Sequence, residues 1–158
     1  MMSINYLEGD ATQPVGDGPK IIVHVCNDIG GWGKGFVVAI SKRWKEPEAE
    51  YRRWHKEDGA QPFELGEVQF VKAEDGLWVA NLIGQHGLRR KEGQAPVRYA
   101  AIERGLQSVG KFAAEYSASV HMPRIGCGLA GGQWEEIEPL IEKALLNRDI
   151  ETYVYDFG

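Results

Sequence analysis

The stretch Lys20-Ile21-Ile22-Val23-His24-Val25-Cys26 restricts the fold more than any other, because it is almost continuously apolar and β-branched. A strand wet on one face alternates polar and apolar residues, so an unbroken run belongs to a strand covered on both faces. It predicts a central strand in a largely parallel sheet with helices on either side.

The neighbouring segments fit that frame. Ile4 to Leu7 reads as a short strand, and Pro14, Gly16, Gly18 and Pro19 keep the following loop non-helical. Phe36 to Trp44 and Glu46 to Asp58 read as helices, the second opened by Pro47. Leu65 to Val71 and Leu77 to Ile83 read as strands around Glu74-Asp75-Gly76. Ala100, Ile102, Leu106, Val109, Phe112 and Ala113 recur at helical spacing, giving a helix from Pro96 to about Tyr116. Ser119 to Met122 is a short strand; a tight turn at Trp134 to Ile137 precedes a last helix starting near Pro139, and Thr152 to Tyr155 closes the chain as a strand. The order ββααββαβαβ predicts an α/β fold of three layers, with a central mixed, largely parallel six-stranded sheet in one domain spanning residues 1–158.

Two glycine-rich loops carry the chemistry. Asn27 to Gly35 has glycines at 30, 31, 33 and 35 and leads into a helix; Pro123 to Gly132 has them at 126, 128, 131 and 132. Both leave the end of an apolar strand, where an open α/β sheet places its ligand crevice. Glycine lets consecutive N–H groups turn toward one point, and a helix N-terminus adds partial positive charge, which suits a phosphate. Two facing loops would grip a diphosphate from both sides.

Other readings are weaker. Gly33-Lys34-Gly35 lacks the Ser or Thr that follows the lysine of a P-loop, and Asp28 stands where its leading glycine belongs. Gly126 to Gly131 satisfies G-x-G-x-x-G but lies too late in the chain for a two-halved dinucleotide fold. Cys127 could act as an exposed nucleophile between two glycines, against the commoner role of free cysteine as a small buried residue. Cys26 and Cys127 make no metal or dithiol spacing, and His24, His86 and His121 read as structural, so no metal and no cofactor is expected.

The formal net charge of −5 gives no general attraction to nucleic acid, and Arg89-Arg90-Lys91 is either a solvated loop or an entrance for an anionic ligand. Without a membrane-length apolar run or a signal-like start, a cytoplasmic monomer is expected.

Gly9-Asp10-Ala11-Thr12, Asn27 with Gly30 to Gly35, Met122 to Gly128 and Tyr153-Val154-Tyr155 together resemble the macrodomain family, in the right order over essentially the whole chain. Met122 to Leu129 with Gln133-Trp134-Glu135 is similar to the terminal ADP-ribose protein glycohydrolase branch, and Gly31 to Gly35 to the ADP-ribose 1-phosphate phosphatase branch. The resemblance implies that ADP-ribose, or a protein carrying it, is the partner. It assigns Asp10 to the adenine amine, and Gly33, Lys34, Gly35, Gly126, Cys127 and Gly128 to the diphosphate. Ala11, Ile125 and Leu129 are further ligand-binding positions; Tyr155 or Phe157 would border the adenine and Asn27 the distal ribose.

The glycohydrolase branch's catalytic lysine falls on Gln85 and its aspartate on Ala130, so a lysine adduct is unavailable there. The resemblance then implies hydrolysis of ester-linked ADP-ribose on Glu or Asp, with Gln85 and Asn27 positioning water; if Gln85 is only a solvated loop residue, Asn27 or His86 takes that role. The alternatives are a non-catalytic reader of ADP-ribose and a phosphatase acting on ADP-ribose 1-phosphate.

Overall fold

The structure, a computed structural model, describes residues 2–57 and 59–157. It contains strands β1 (Asn5–Glu8), β2 (Lys20–Asn27), β3 (Val68–Glu74), β4 (Leu77–Gln85), β5 (Ser119–Met122) and β6 (Thr152–Asp156). Helices α1 (Phe36–Arg43) and α2 (Glu46–Lys56) follow β2, α3 (Tyr99–Tyr116) follows β4, and α4 (Trp134–Ala144) follows β5. The expected end of α2 at Asp58 lies outside the described residues.

The six strands form one sheet in the order β1-β6-β5-β2-β4-β3. Every pairing is parallel except β3 with β4, a hairpin. Alternate residues of the apolar strands serve opposite layers. Ile21, Val23, Ala80 and Leu82 pack with α3 and α4, whereas Ile22, Cys26, Val79 and Ile83 pack with Val37, Ile40, Tyr51 and Trp54 of α1 and α2. This is the three-layer α/β/α arrangement expected of the unbroken apolar run.

Of the boundaries that differ from the sequence reading, two have a clear physical reason. Strand β3 starts at Val68 instead of Leu65, because the short turn to β4 sets its register, pairing Glu74 with Leu77 and Val68 with Leu82. Helix α4 starts at Trp134 and carries Pro139 inside it. Proline in a helix interior costs about 3 kcal/mol, partly by orphaning the carbonyl four residues earlier. Here Pro139 and Glu135 are both solvent-exposed, so water can satisfy that carbonyl. Ile137 and Ile141, both fully buried, supply roughly 1.5–3 kcal/mol each on the opposite face and hold the helix through the proline.

Candidate functional site

The parallel strands β2 and β4 end side by side, with Asn27 and Gln85 as register partners beyond a shift between Cys26 and Asn27. The Asn27 amide shapes the loop that follows. Its Oδ1 accepts from the Ile29 N–H at 3.1 Å and the Gly31 N–H at 2.9 Å, and its Nδ2 donates to the Gly31 carbonyl at 2.8 Å. The buried Tyr51 hydroxyl lies 2.6 Å from the Asn27 carbonyl and 3.0 Å from Oδ1. The loop tip is then free to serve other purposes.

That tip leads into α1 through Gly35, whose φ of 82° and ψ of −145° lie in a region that is essentially glycine-only. Among the described residues, no acceptor takes the N–H groups of Gly33, Lys34 or Gly35. The second loop is anchored below and open above. Gly126, at φ 75°, sits where a Cβ would collide with Ile137 Cδ1, and its carbonyl accepts from Gly132 N–H at 2.7 Å. Ile125 and Ala130 are buried, while Gly128 has open space around it and Leu129 is 67% exposed. Leu129 reaches the first loop, its Cδ1 standing 3.6 Å from where a Cβ of Gly35 would be. The two glycine loops are therefore neighbours.

A third loop lies against both. Leu88 Cδ2 stands 3.6 Å from a Cβ position at Gly31, and Ala95 Cβ stands 2.9 Å from one at Gly131. This places Arg89, Arg90 and Lys91 at the rim. A separate hollow of about 300 Å³, lined by Thr12, Lys20, Arg43 and Leu77 among others, lies by the amino ends of β2 and β4, away from these loops.

Asp10 follows β1, and its Oδ1 accepts from Thr12 N–H at 2.8 Å and Thr12 Oγ1 at 2.7 Å, making a local turn. Its Oδ2 faces Arg43 Nη2 at 3.9 Å, and Arg43 Nε donates to Thr12 Oγ1 at 2.8 Å. Ala11 is buried beside them. Tyr155 is 4% exposed; its hydroxyl takes the Val15 N–H at 3.0 Å and pairs with His121 Nδ1 at 2.7 Å. Tyr155 thereby supports the Val15 loop from within the core, and Phe157, 83% exposed, is the freer aromatic at this edge.

The Cys127 thiol is half-buried, and burial pushes its pKa up; the Arg124 guanidinium acts in the opposite direction and Glu135 raises it further. Both cysteines are free. Gln85, half-buried, turns its Nε2 back to the Gly87 carbonyl at 2.9 Å. Among the described residues, no group of three or more His, Cys, Asp or Glu comes together to hold a metal ion, and no helix is long and apolar enough to cross a membrane.

Arg124 and Asp28 shape this site and escaped the sequence reading, which had His86 only as a substitute for Gln85. Arg124 binds Asp156 through Nε at 2.6 Å and Nη2 at 2.9 Å, and its guanidinium lies over the Tyr6 and Trp134 rings at 5.2 and 5.0 Å. It thereby ties the second loop to β1, β6 and α4. Asp28 accepts from Gly87 N–H at 2.8 Å and pairs with His86 Nδ1 at 2.7 Å. The adjacency of Asp28 to Asn27 and of His86 to Gln85 was the available signal.

No family profile matches the chain. It is 55% identical to a solved macrodomain protein from Streptomyces coelicolor, covering 99% of this chain and 100% of that one with a TM-score of 0.88. It is 35% identical to the mouse Chromodomain-helicase-DNA-binding protein 1-like over 98% of this chain, but spans only 18% of that protein's length. The human ADP-ribose glycohydrolase OARD1 is 26% identical, with 96% of this chain and 90% of that protein covered.

Proposed function

This chain belongs to the macrodomain family, and from that premise we propose that it binds ADP-ribose between its two glycine loops and hydrolyses ester-linked ADP-ribose from acidic side chains. The observation that carries the proposal is the meeting of the loops at Gly35 and Leu129, beside the paired strand ends Asn27 and Gln85. The N–H groups of Gly33, Lys34 and Gly35 have no acceptor among the described residues and would donate to one phosphate, and the open backbone around Gly128 to the other. Charge-assisted hydrogen bonds of about 1.5–3 kcal/mol each, with apolar contact from Leu129, support micromolar affinity, about −8 kcal/mol. Asp10 Oδ2 would accept from the adenine amine, and Phe157 would cover the ring.

For catalysis the chain relies on an easy leaving group. A carboxylate departs from the anomeric carbon without strong acid assistance, so a positioned water suffices. The Gln85 amide donates and accepts but forms no imine, and would orient that water once released from Gly87. Asn27 acts through the loop it shapes, because its oxygen is already engaged by Ile29 and Gly31.

A reader without catalysis is favoured by one feature: Ala130, at the position matching the glycohydrolase branch's aspartate, is buried and offers no polar group. Incubation with a glutamate-ADP-ribosylated acceptor separates the two. Release of free ADP-ribose supports hydrolysis; tight binding with the acceptor left modified supports the reader.

A further inference from the structure

Neither the water-positioning amide of Gln85 nor Asn27 beside it can take a proton, yet a carboxylate–imidazole pair stands next to them. Asp28 directly follows β2, and its N–H donates to the Gln85 carbonyl at 3.1 Å. Its carboxylate holds the Gly87 N–H through Oδ1 at 2.8 Å and His86 Nδ1 through Oδ2 at 2.7 Å. The Asp28 side chain is 15% exposed and that of His86 55%. A carboxylate at this distance fixes the Nδ1–H tautomer, which leaves the lone pair on Nε2. Among the described residues, Nε2 has no hydrogen-bond partner.

We propose that Asp28 and His86 form the general-base pair of the hydrolysis, with Nε2 of His86 taking the proton from the attacking water. The assignment rests on the hydrolase reading above. One feature argues against a purely structural tie: the Gly87 N–H bond already anchors the loop to Asp28. Leu88 of the same loop approaches Gly31, and Asp28 ties His86 to the start of the first loop, so His86 sits where the third loop meets the first. Asp28 is the charged group that faces the imidazole, and Arg89 to Lys91 follow on the same loop.

The step balances. Water oxygen bonds to the anomeric carbon as the bond from that carbon to the ester oxygen breaks, and its electron pair leaves with the carboxylate. The proton passes to Nε2, the Asp28 carboxylate steadies the imidazolium, and solvent then removes the proton. The products are ADP-ribose, a free acidic side chain and one proton.

The test compares the full-length parent with His86→Asn, His86→Ala and Asp28→Asn on a glutamate-ADP-ribosylated acceptor, with ADP-ribose affinity measured in parallel. Asparagine can still donate to Asp28 but cannot accept a proton. The expected result for His86→Asn is a kcat lower by about 10²–10⁴-fold, the usual range for a general base, with KM and ADP-ribose affinity within about threefold. Added imidazole should restore part of the His86→Ala rate. An active parent whose His86 variants keep its rate overturns the pair alone. A parent that releases no ADP-ribose overturns the hydrolase reading and the pair's role with it.

Discussion

Asn27 and Gln85 are register partners at the carboxyl ends of β2 and β4, although a shift of register separates Cys26 from Asn27. The shift leaves Gly84 without a partner in β2 and brings two polar residues level where the two strands finish. One of them is tied into its loop by three hydrogen bonds to Ile29 and Gly31. The other holds a single bond to Gly87, so it is the more available for chemistry.

Replacing Gln85 with Ala should therefore lower hydrolysis of ester-linked ADP-ribose by about 10–10³-fold while leaving ADP-ribose affinity nearly unchanged. Borohydride added during turnover should trap no protein adduct. Full activity in Gln85→Ala would remove the amide from the mechanism, and a trapped lysine adduct would overturn the lysine-free scheme.

Asp10 divides its carboxylate between the Thr12 turn and an oxygen that faces Arg43 at 3.9 Å. Asp10→Ala should weaken ADP-ribose binding by about 1.5–3 kcal/mol, the range for a hydrogen bond to a charged group. Unchanged calorimetric affinity would reduce Asp10 to the residue that accepts the Thr12 N–H.

Burial should keep the Cys127 sulfur a poor nucleophile, since it raises the thiol pKa despite Arg124 nearby. Cys127→Ser should retain hydrolysis within several-fold, because its proposed donor is the backbone N–H. A loss beyond about 10³-fold with binding intact would assign the chemistry to the thiol.

Two buried histidines set the acid stability. Desolvation lowers His24 and His121 from 6.5 to about 4, despite the Asn81 hydrogen bond to His24, and Lys20 lowers His121 further. The unfolded chain binds these protons near pH 6.5 while the native chain refuses them until about 4. Their contribution is thus complete above the upper value and disappears as pH falls toward the lower, with a slope of about 1.4 kcal/mol per pH unit for each histidine. Urea unfolding between these limits should show it. Stability that stays level from pH 6.5 to 4.5 would contradict the buried neutral imidazoles.

Much of the fold was legible because its signals are local. The nearly unbroken apolar runs of β2 and β4 and the glycines after β2 and β5 need no knowledge of the remainder of the chain. Pro139 misled because its cost depends on which helix face meets water, and that is decided by Ile137 and Ile141 packing into the core. Tyr155 read equally well as ligand-facing or internal until β6 placed its hydroxyl on His121. The Asp28–His86 pair joins residues 58 apart in sequence, and the Arg124–Asp156 pair residues 32 apart. Only the parallel pairing of their strands brings such groups together, and no spacing rule reports it.

The central claim is that the two loops hold a diphosphate between them, and calorimetric titration with ADP-ribose and AMP tests it most directly. The account predicts micromolar binding of ADP-ribose, about −8 kcal/mol, and at least roughly tenfold weaker binding of AMP, which lacks the second phosphate and distal ribose. Equal affinity for the two ligands, or no heat with ADP-ribose, would contradict it.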